Sequence, residues 1–456
     1  MRNLLQKCFK WQWLVCLAVG CCFSSCKDDD ESTSGYDPNK PIELTDFYPA
    51  EGKLATQVIL NGSNFGNSKD KVKVFFNDKE AAVISVKNNR MLVLAPKRAS
   101  TIEEPACDIK VQVEDKTGQY NKTFDYHIQT TVTTLVGGAT SATENPKGIV
   151  QLSEAQFRAN IDRCICVDKD KNVFFLVDNN GKFAAFMLNE EADKLVCLKE
   201  DINAMFNSPI LGYNKKDGIV YQFWANRDTH EVLQFDPKSN YAPTTLINAV
   251  VWDDSNFPNI EGFGVWAAKN NFSMGPDGKM YSRMLGGNLV RIDVDKAKGE
   301  NLTNGDLVGT KDGSSYGLVF DPNDDNIFYF SVNDKHCIYK YDLRTKEWNC
   351  WAGQEGKSGY LDGPIGQAMF NKPGQICVDS EGNLILTDTE NHCIRKITMS
   401  TGYVSTLAGK PQKSGYVNGN AEDAQFKKPL GICIDNDDVM YIGDAENRAI
   451  RRLAIE

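Results

Sequence analysis

Short runs in which apolar and polar residues alternate follow one another along most of the chain beyond Lys40, and turn residues separate them. This alternation has a period of two and predicts β-strands with one buried face, and no helical period competes with it. In residues 41–130 the clearest runs are Gln57–Leu60, Val72–Phe76, Met91–Leu94 and Asp108–Val113. Their number and spacing predict a β-sandwich of about 90 residues.

The rest of the chain is repetitive. Residues 352–395 align with residues 408–451 without a gap. The identical pairs include Gly353 and Gly409, Tyr360 and Tyr416, Phe370 and Phe426, Asp388 and Asp444, and Arg395 and Arg451. Four weaker copies precede these two, and in each a strand, an Asp or Gly turn and further strands follow one another. Repeats of this kind are typical of radial sheet arrays, so we predict a six-bladed β-propeller over residues 131–456.

One segment predicts how the propeller closes. The second-last unit ends in a fourth strand, Val404–Gly409, whereas the last unit stops at Leu453–Glu456 without one. A near-copy of the missing strand, Val132–Gly137, stands before the first unit. Because an open ring would leave two sheet edges with unpaired N–H and C=O groups, we expect residues 132–137 to pair with the last blade.

Both parts also resemble known families. The first part, residues 41–130, resembles an IPT/TIG domain, an immunoglobulin-like module that usually serves as a spacer or interaction module. The residues that carry this resemblance are Pro41-Ile42, Phe47-Tyr48-Pro49, Gly52, Val58–Gly66, Val74–Phe76 and Leu94–Pro96. The last two repeats resemble NHL repeats, clearest in Pro373–Asp379, Gly382–Leu384, Asp388 and Asn391–Ile397. The predicted fold class is therefore all-β, an immunoglobulin-like sandwich followed by a six-bladed NHL-type propeller.

Residues 1–25 have the pattern of an export signal. A basic start with Arg2, Lys7 and Lys10 precedes the apolar stretch 11–20, which is too short to span a bilayer. The small residues before Cys26 resemble a lipobox, so we predict lipidation of Cys26. Two further cysteines, Cys21 and Cys22, are rival acceptors.

The segment after Cys26 is acidic and rich in turn residues, and we interpret residues 26–40 as a flexible tether. Its run Lys27–Glu31 resembles the Bacteroidota-type signal that directs lipoproteins to the outer face of the outer membrane. The alternative is an ordinary solvated linker. The prediction is a lipid-anchored outer-membrane protein that faces the cell exterior.

The charge balance restricts the partners. The chain has 51 Lys and Arg residues against 61 Asp and Glu, a formal net charge of −10. An acidic surface disfavours nucleic acid and anionic membranes, so we expect no nucleic-acid partner and no membrane contact except the lipid anchor.

The titratable residues favour structural roles. Cys164, Cys166, Cys377 and Cys433 lie in apolar runs, and no CxxC pair occurs after Cys26, so they are expected to pack as small buried side chains. Disulfides are permitted but not required by the spacing.

The histidine and aspartate positions lead to the same conclusion. His336, His392 and Arg448 share one repeat position, which favours a residue that hydrogen-bonds or packs between blades over a metal ligand. The repeated aspartates Asp379, Asp388, Asp435 and Asp444 favour turn capping and blade bracing over a pair of catalytic carboxylates. We therefore predict no catalytic residue, no metal and no cofactor.

Aromatic residues next to polar ones are the candidates for ligand binding. An aromatic face can cover the apolar side of a sugar ring while Asn, Asp or Arg bind its hydroxyls. The predicted ligand-binding residues are Trp224, Asn226, Arg227, Trp252, Trp266, Asn270, Tyr360 and Tyr416. The alternative is that these aromatics fill the interfaces between blades.

The preferred function is binding of a polysaccharide or glycan by a cell-surface lipoprotein, as an accessory to outer-membrane uptake. A partnership with an outer-membrane transporter complex follows only by analogy of fold. Two alternatives remain open, a protein-binding scaffold at the outer membrane and a propeller enzyme, a lyase or hydrolase, with a site in the central channel.

Overall fold

The computed structural model describes residues 35–96, 105–138, 140, 142–161, 163–203, 210–225, 230–248, 250–252, 272–284, 287–303 and 316–455. The chain separates into two compact units, with the division after Ile128. Among the described residues, no helix is long and apolar enough to cross a membrane.

The first unit is built from β-strands around one core. Its strands are β1 (Glu43–Tyr48), β2 (Glu51–Gly52), β3 (Gln57–Ser63), β4 (Val72–Phe76), β5 (Lys79–Lys87), β6 (Arg90–Leu94), β7 (Ala106–Val113) and β8 (Lys116–Tyr126), with a 3₁₀ turn at Lys69–Lys71. They pair in the order β1-β3-β6-β5-β4-β7-β8-β2. The predicted alternation is present in β3, where Val58 and Leu60 are buried and Ile59 is exposed.

The second unit begins with β9 (Thr130–Gly137) and continues through blades 1 to 3. Blade 1 contains β10 (Ile149–Val150), β11 (Cys166–Val167), β12 (Asn172–Asn179), β13 (Lys182–Asn189) and β14 (Lys194–Asn203). Blade 2 contains β15 (Ile210–Asn214), β16 (Ile219–Ala225), β17 (His230–Phe235) and β18 (Pro243–Ile247). Blade 3 contains β19 (Val251–Trp252), β20 (Ser273–Met274), β21 (Met280–Arg283), β22 (Leu289–Asp293) and β23 (Lys298–Asn301).

Blades 4 to 6 complete the propeller. Blade 4 contains β24 (Leu318–Asp321), β25 (Asp324–Val332), β26 (Cys337–Asp342) and β27 (Trp348–Gly353). Blade 5 contains β28 (Gly363–Pro364), β29 (Pro373–Val378), β30 (Leu384–Asp388), β31 (Cys393–Thr398) and β32 (Tyr403–Ala408). Blade 6 contains β33 (Gly419–Asn420), β34 (Pro429–Ile434), β35 (Met440–Asp444) and β36 (Ala449–Ile455). Short 3₁₀ turns lie at Leu152–Glu154, Pro237–Ser239, Asn333–Lys335, Thr389–Asn391 and Ala445–Asn447.

The ring closes as the sequence predicts. Strand β9 pairs antiparallel with β36, from Ala449 opposite Gly137 to Ile455 opposite Thr130. It thus supplies the strand that blade 6 lacks, so one blade is built from both ends of the propeller. The all-β, six-bladed architecture is confirmed.

The propeller core lies between neighbouring blades. In blade 5, Ile385 and Ile394 pack towards blade 6, whereas Leu384 and Leu386 pack towards blade 4. Because both faces of each sheet are covered, central strands form continuous apolar runs, and every residue of Val173–Val177 is buried. The inner strand of each blade remains an open sheet edge that faces the centre.

Candidate functional site

The six inner strands surround a cavity of about 560 Å³. Each strand, β11, β15, β20, β24, β29 and β34, contributes residues close to the turn that leads into the next strand. The cavity therefore lies at the end of the propeller axis where these turns gather. Its volume falls within the range of small-molecule sites.

One side of the cavity is aromatic. Phe272 is buried, and Tyr213 and Phe320 are half-buried, so part of each of these two rings is accessible. Lys215 is exposed in the adjoining turn. Gly212 lies against the Phe272 ring, where an added Cβ would come within 2.5 Å of a ring carbon. A glycine is therefore needed for the close contact between blades 2 and 3.

The opposite side of the cavity is tied together by a glutamine. Gln375 Oε1 accepts hydrogen bonds from the amides of Ile165 (2.9 Å) and Ile432 (3.0 Å), and its Nε2 donates to the Ile165 carbonyl (2.8 Å). Gln375 thus joins the inner strands of blades 5, 6 and 1. Sequence reasoning missed this residue, because its position in a strand carries no motif.

The Gln375 contacts also show which peptide groups face the cavity. Alternate residues of an antiparallel edge strand direct N–H and C=O away from the partner strand. Val167 and Ile434 lie two residues closer to the turns than Ile165 and Ile432, and both line the cavity. Their peptide groups therefore point towards it, and they offer donors and acceptors on an otherwise apolar wall.

Three cysteines occupy the same inner-strand position in consecutive blades. Cys377, Cys433 and Cys166 each stand two residues before the turn aspartate and are over nine-tenths buried. Burial raises the pKa of all three thiols, which favours their protonated form. The prediction that they are packing residues is confirmed.

Aspartates stabilise the turns that follow the inner strands beside the cavity. Asp168, Asp379 and Asp435 each accept a hydrogen bond through Oδ1 from the amide four residues later, at 2.9, 2.7 and 3.0 Å. Asp435 also accepts from Tyr441 Oη at 3.2 Å. The predicted role in turn capping is confirmed for Asp379 and Asp435, and Asp168 caps its turn in the same way.

At the other turns, histidines link successive blades. His336 Nδ1 accepts a hydrogen bond from the Lys372 amide, and His392 Nδ1 from the Lys428 amide, both at 3.1 Å. Both histidines adopt left-handed backbone angles, with φ of 55° and 58°. The predicted blade-to-blade hydrogen bond is confirmed, and burial lowers the pKa of both rings.

Blades 5 and 6 each contain a fully buried ion pair. Arg395 Nη1 donates to Asp388 Oδ2, and Arg451 Nη1 to Asp444 Oδ2, both at 2.7 Å, with all four side chains inaccessible. Burial raises the pKa of both aspartates to about 6, and the adjacent guanidinium opposes that rise, so both are charged at neutral pH. Repetition indicated bracing, but only the structure shows that the braces are buried.

The two predicted ligand-binding tyrosines cover these arginines. The Tyr360 ring lies 4.9 Å from the Arg395 guanidinium carbon, and the Tyr416 ring 5.0 Å from that of Arg451. Tyr360 Oη also lies 2.8 Å from Thr406 Oγ1. One face of each ring is therefore in contact with its own blade.

The remaining predicted site residues cannot be placed. Asn226, Arg227, Trp266, Asn270 and the lipidation site Cys26 lie outside the described residues, as do the side chains of Trp224 and Trp252.

Within the described part of the chain, one group of possible metal ligands comes together, Glu51, Asp125 and His127. His127 Nε2 lies 3.2 Å from Glu51 Oε2, and these two side chains are 55% and 70% exposed. An ordinary surface ion pair accounts for the position of the histidine.

Fold and cavity together define a six-bladed propeller with an axial cavity, preceded by a separate β-sandwich. Comparison with known families specifies both parts. Residues 41–126 match the IPT/TIG domain and residues 370–397 match the NHL repeat. The first unit thus matches the IPT/TIG domain, and one segment of the propeller, in blade 5, matches the NHL repeat.

Solved structures share this arrangement. A protein of unknown function from Bacteroides thetaiotaomicron is 25% identical, with a TM-score of 0.70 over 93% of this chain and 100% of that one. A protein from Bacteroides ovatus named an auxiliary nutrient binding protein is 22% identical, with a TM-score of 0.58 over 93% and 100%. The second likeness shows a common fold.

Among curated proteins, NHL repeat-containing protein 2 of Gallus gallus is 36% identical over 153 residues, which are 33% of this chain and 19% of that protein. The chain spans a quarter or less of the length of the curated relatives it matches.

Proposed function

We propose that the propeller binds a nutrient and that this nutrient is a polysaccharide or glycan, held at the cell surface for uptake. The observation that carries the proposal is the axial cavity, where accessible rings of Tyr213 and Phe320 adjoin open strand edges. A sugar ring has apolar faces that stack on aromatics and hydroxyls that hydrogen-bond with peptide groups.

The surroundings of the cavity favour binding over catalysis. Burial raises the pKa of the nearby thiols, and the turn aspartates accept capping hydrogen bonds. The shared fold of the Bacteroides ovatus nutrient-binding protein supports the same class of function by analogy.

A glycan panel with matched variants tests the proposal. We expect a plant, host or microbial glycan to bind the full chain and Tyr213→Ala to weaken that binding about three- to tenfold, because a stacking contact is lost. Tyr403→Ala is the control, since Tyr403 is exposed on outer strand β32. Isothermal titration calorimetry measures both.

The possible outcomes test the class of ligand and the position of its binding site separately. No binding across the panel would contradict the glycan proposal. Binding that survives Tyr213→Ala but is lost in Trp224→Ala or Trp266→Ala would keep the glycan and move the site to the aromatic cluster predicted from sequence.

We further propose that the protein is anchored to the outer membrane by a lipid on Cys26 and faces the exterior. Labelled palmitate should enter the wild type but not Cys26→Ser, while Cys21→Ser and Cys22→Ser keep the label. Digestion of intact cells by added protease checks the orientation, and a protected protein would contradict surface exposure.

A further inference from the structure

Two cysteines face each other across neighbouring strands of blade 4. Cys337 begins β26 and lies opposite Gly353, while Cys350 in β27 lies opposite Tyr339, with a bulge in the ladder between them. Cys337 and Tyr339 are two residues apart and share a sheet face, so Cys350 lies on that face as well. Cys337 belongs to the buried cluster and Cys350 packs against it.

The Cys350 thiol lies towards the end of the ladder that contains Cys337. It donates a hydrogen bond to the Gly353 carbonyl oxygen at 3.7 Å, and Gly353 is the residue opposite Cys337. Two cysteines on one face of neighbouring strands can be joined by a disulfide when their sulfur atoms approach to about 2.05 Å.

The environments of the two thiols differ, and the difference determines which of them reacts first. Cys337 is fully buried, whereas Cys350 is half-buried. The interaction with the partner thiol raises the pKa of Cys337 and lowers that of Cys350. Cys350 is therefore the thiol that an external reagent meets first, and the one that more readily forms a thiolate.

We propose that Cys337 and Cys350 are a redox modification site, at which a disulfide locks β26 to β27 in blade 4. Its formation in the cell rests on the proposed export, because disulfides persist in oxidising compartments. The bond would join the two outer strands of blade 4, which β25 separates from the inner strand that carries Phe320.

The oxidant is a disulfide compound, such as oxidised glutathione or a disulfide-bearing oxidoreductase. The Cys350 thiolate attacks one oxidant sulfur, which forms a mixed disulfide and releases the first thiol. Cys337 then gives its proton to the departing thiolate as its sulfur attacks Cys350 Sγ, which releases the second thiol. The protein loses two protons and two electrons, and the oxidant disulfide is reduced to two thiols.

Blade 5 supplies an internal comparison. Cys393 occupies the position of Cys337, and Thr406, opposite Arg395, occupies the position of Cys350. The neighbouring blade thus has a thiol and a hydroxyl at the same two positions and cannot form the bond. Packing alone is satisfied by threonine here, so the second cysteine is a particular feature of blade 4.

The experiment uses the purified full chain in excess oxidised glutathione, followed by thiol alkylation, tryptic digestion without reduction and mass spectrometry. Trypsin cuts between the two cysteines, so a disulfide appears as two linked peptides. We expect this linked species in the wild type and in the control Cys393→Ala, but not in Cys350→Thr. We also expect the oxidised wild type to unfold at a temperature at least about 2 °C higher than the reduced protein.

Two results would overturn the proposal: both cysteines alkylated separately after oxidation, or Cys350 found only as its glutathione adduct. If Cys350→Thr fails to fold, the linked peptide and its loss on reduction still decide the matter in the wild type. The redox state of the chain taken from cells is a separate readout. A purified chain that oxidises but is reduced in cells would contradict export and leave the chemistry intact.

Discussion

At the scale of single residues, the propeller relies on buried charges that are paired inside the protein, although Arg395 Nε has no hydrogen-bond partner. Arg395 donates through Nη1 to Asp388 and through Nη2 to the Leu361 carbonyl and to Asp362. A buried charge of this kind is tolerated only when it is paired and its donors find acceptors. Losing one partner therefore has a larger effect than replacing the whole pair.

We expect Asp388→Asn to lower the free energy of unfolding by about 3–5 kcal/mol, because it leaves a buried guanidinium without its main counter-charge. Urea denaturation measures the change. Asp325→Asn, at an exposed position near the start of β25, is the control and should stay within about 0.5 kcal/mol of the wild type.

A double variant tests the reason for that loss. Blade 4 has Val332 and Tyr339 at the positions of Asp388 and Arg395. Asp388→Val combined with Arg395→Tyr should therefore recover a large part of the stability that Asp388→Asn loses. A double variant that is less stable than Asp388→Asn would contradict this explanation.

The linking histidines predict a pH dependence. Burial places the folded-state pKa of His336 and His392 below the ordinary value of 6.5. Their contribution to the free energy of unfolding is therefore complete above pH 6.5. It is lost as the pH falls from 6.5 towards the folded-state pKa, because in this range the histidines of the unfolded chain bind protons and those of the folded chain do not.

We expect the variant His336→Asn, His392→Asn to be less stable than the wild type by about 1–2 kcal/mol at pH 7.5, since two hydrogen bonds are lost while asparagine tolerates the backbone angles. Denaturant unfolding at pH 7.5 and 5.5 should show this difference narrowing on acidification. A difference that stays constant or grows would argue against the histidines as the cause.

At the scale of elements, the decisive feature is β9. Its buried residues Val132 and Val136 belong to the two interfaces of blade 6, and Gly137 has a φ of 83° with the Arg448 carbonyl against it. Gly353 and Gly409 end the equivalent strands with φ of 95° and 97°. Strand β9 therefore ends in the same way as the fourth strands of blades 4 and 5, with a glycine of positive φ.

We expect Val132→Asp to lower the free energy of unfolding by at least about 4 kcal/mol, because it buries an unpaired charge in the closing strand. Thr133→Asp, at the next and exposed position, should change it by no more than about 0.5 kcal/mol. Thermal unfolding followed by circular dichroism compares the two. Equal effects would indicate that β9 does not seal the ring.

At the scale of the whole molecule, the two units have separate cores. The buried cluster of the first unit is drawn from residues 47–126, and those of the second begin at Val132. A fragment that keeps β9 contains every strand of the propeller, whereas a fragment that starts after Gly137 has an open ring.

We expect residues 129–456 expressed alone to fold with one cooperative transition and residues 138–456 to aggregate or unfold, because two sheet edges become exposed. Calorimetry and size-exclusion chromatography distinguish them. Cooperative folding of the shorter fragment would show that closure by β9 is dispensable.

The periodicity of the chain was sufficient to predict most of this architecture. Alternation predicts strands, repetition predicts blades, and the missing fourth strand of the last unit predicts its replacement by residues 132–137. These inferences succeed because strand pairing and blade repetition are local or periodic properties, which appear directly in the order of residues. The turn aspartates and the linking histidines were predictable for the same reason.

The cavity and the buried contacts were decided by the tertiary structure. Gln375 acts by touching Ile165 and Ile432, which are distant in the chain, and Cys337 meets Cys350 only through the register of two strands and a bulge. Burial likewise turns Asp388 and Arg395 from an ordinary charged pair into a brace. The sequence alone determined which strands form and how the ring is sealed, since both follow from periodicity. Which side chains meet at the axis and inside the blades depended on distances between remote segments, which only the folded chain sets.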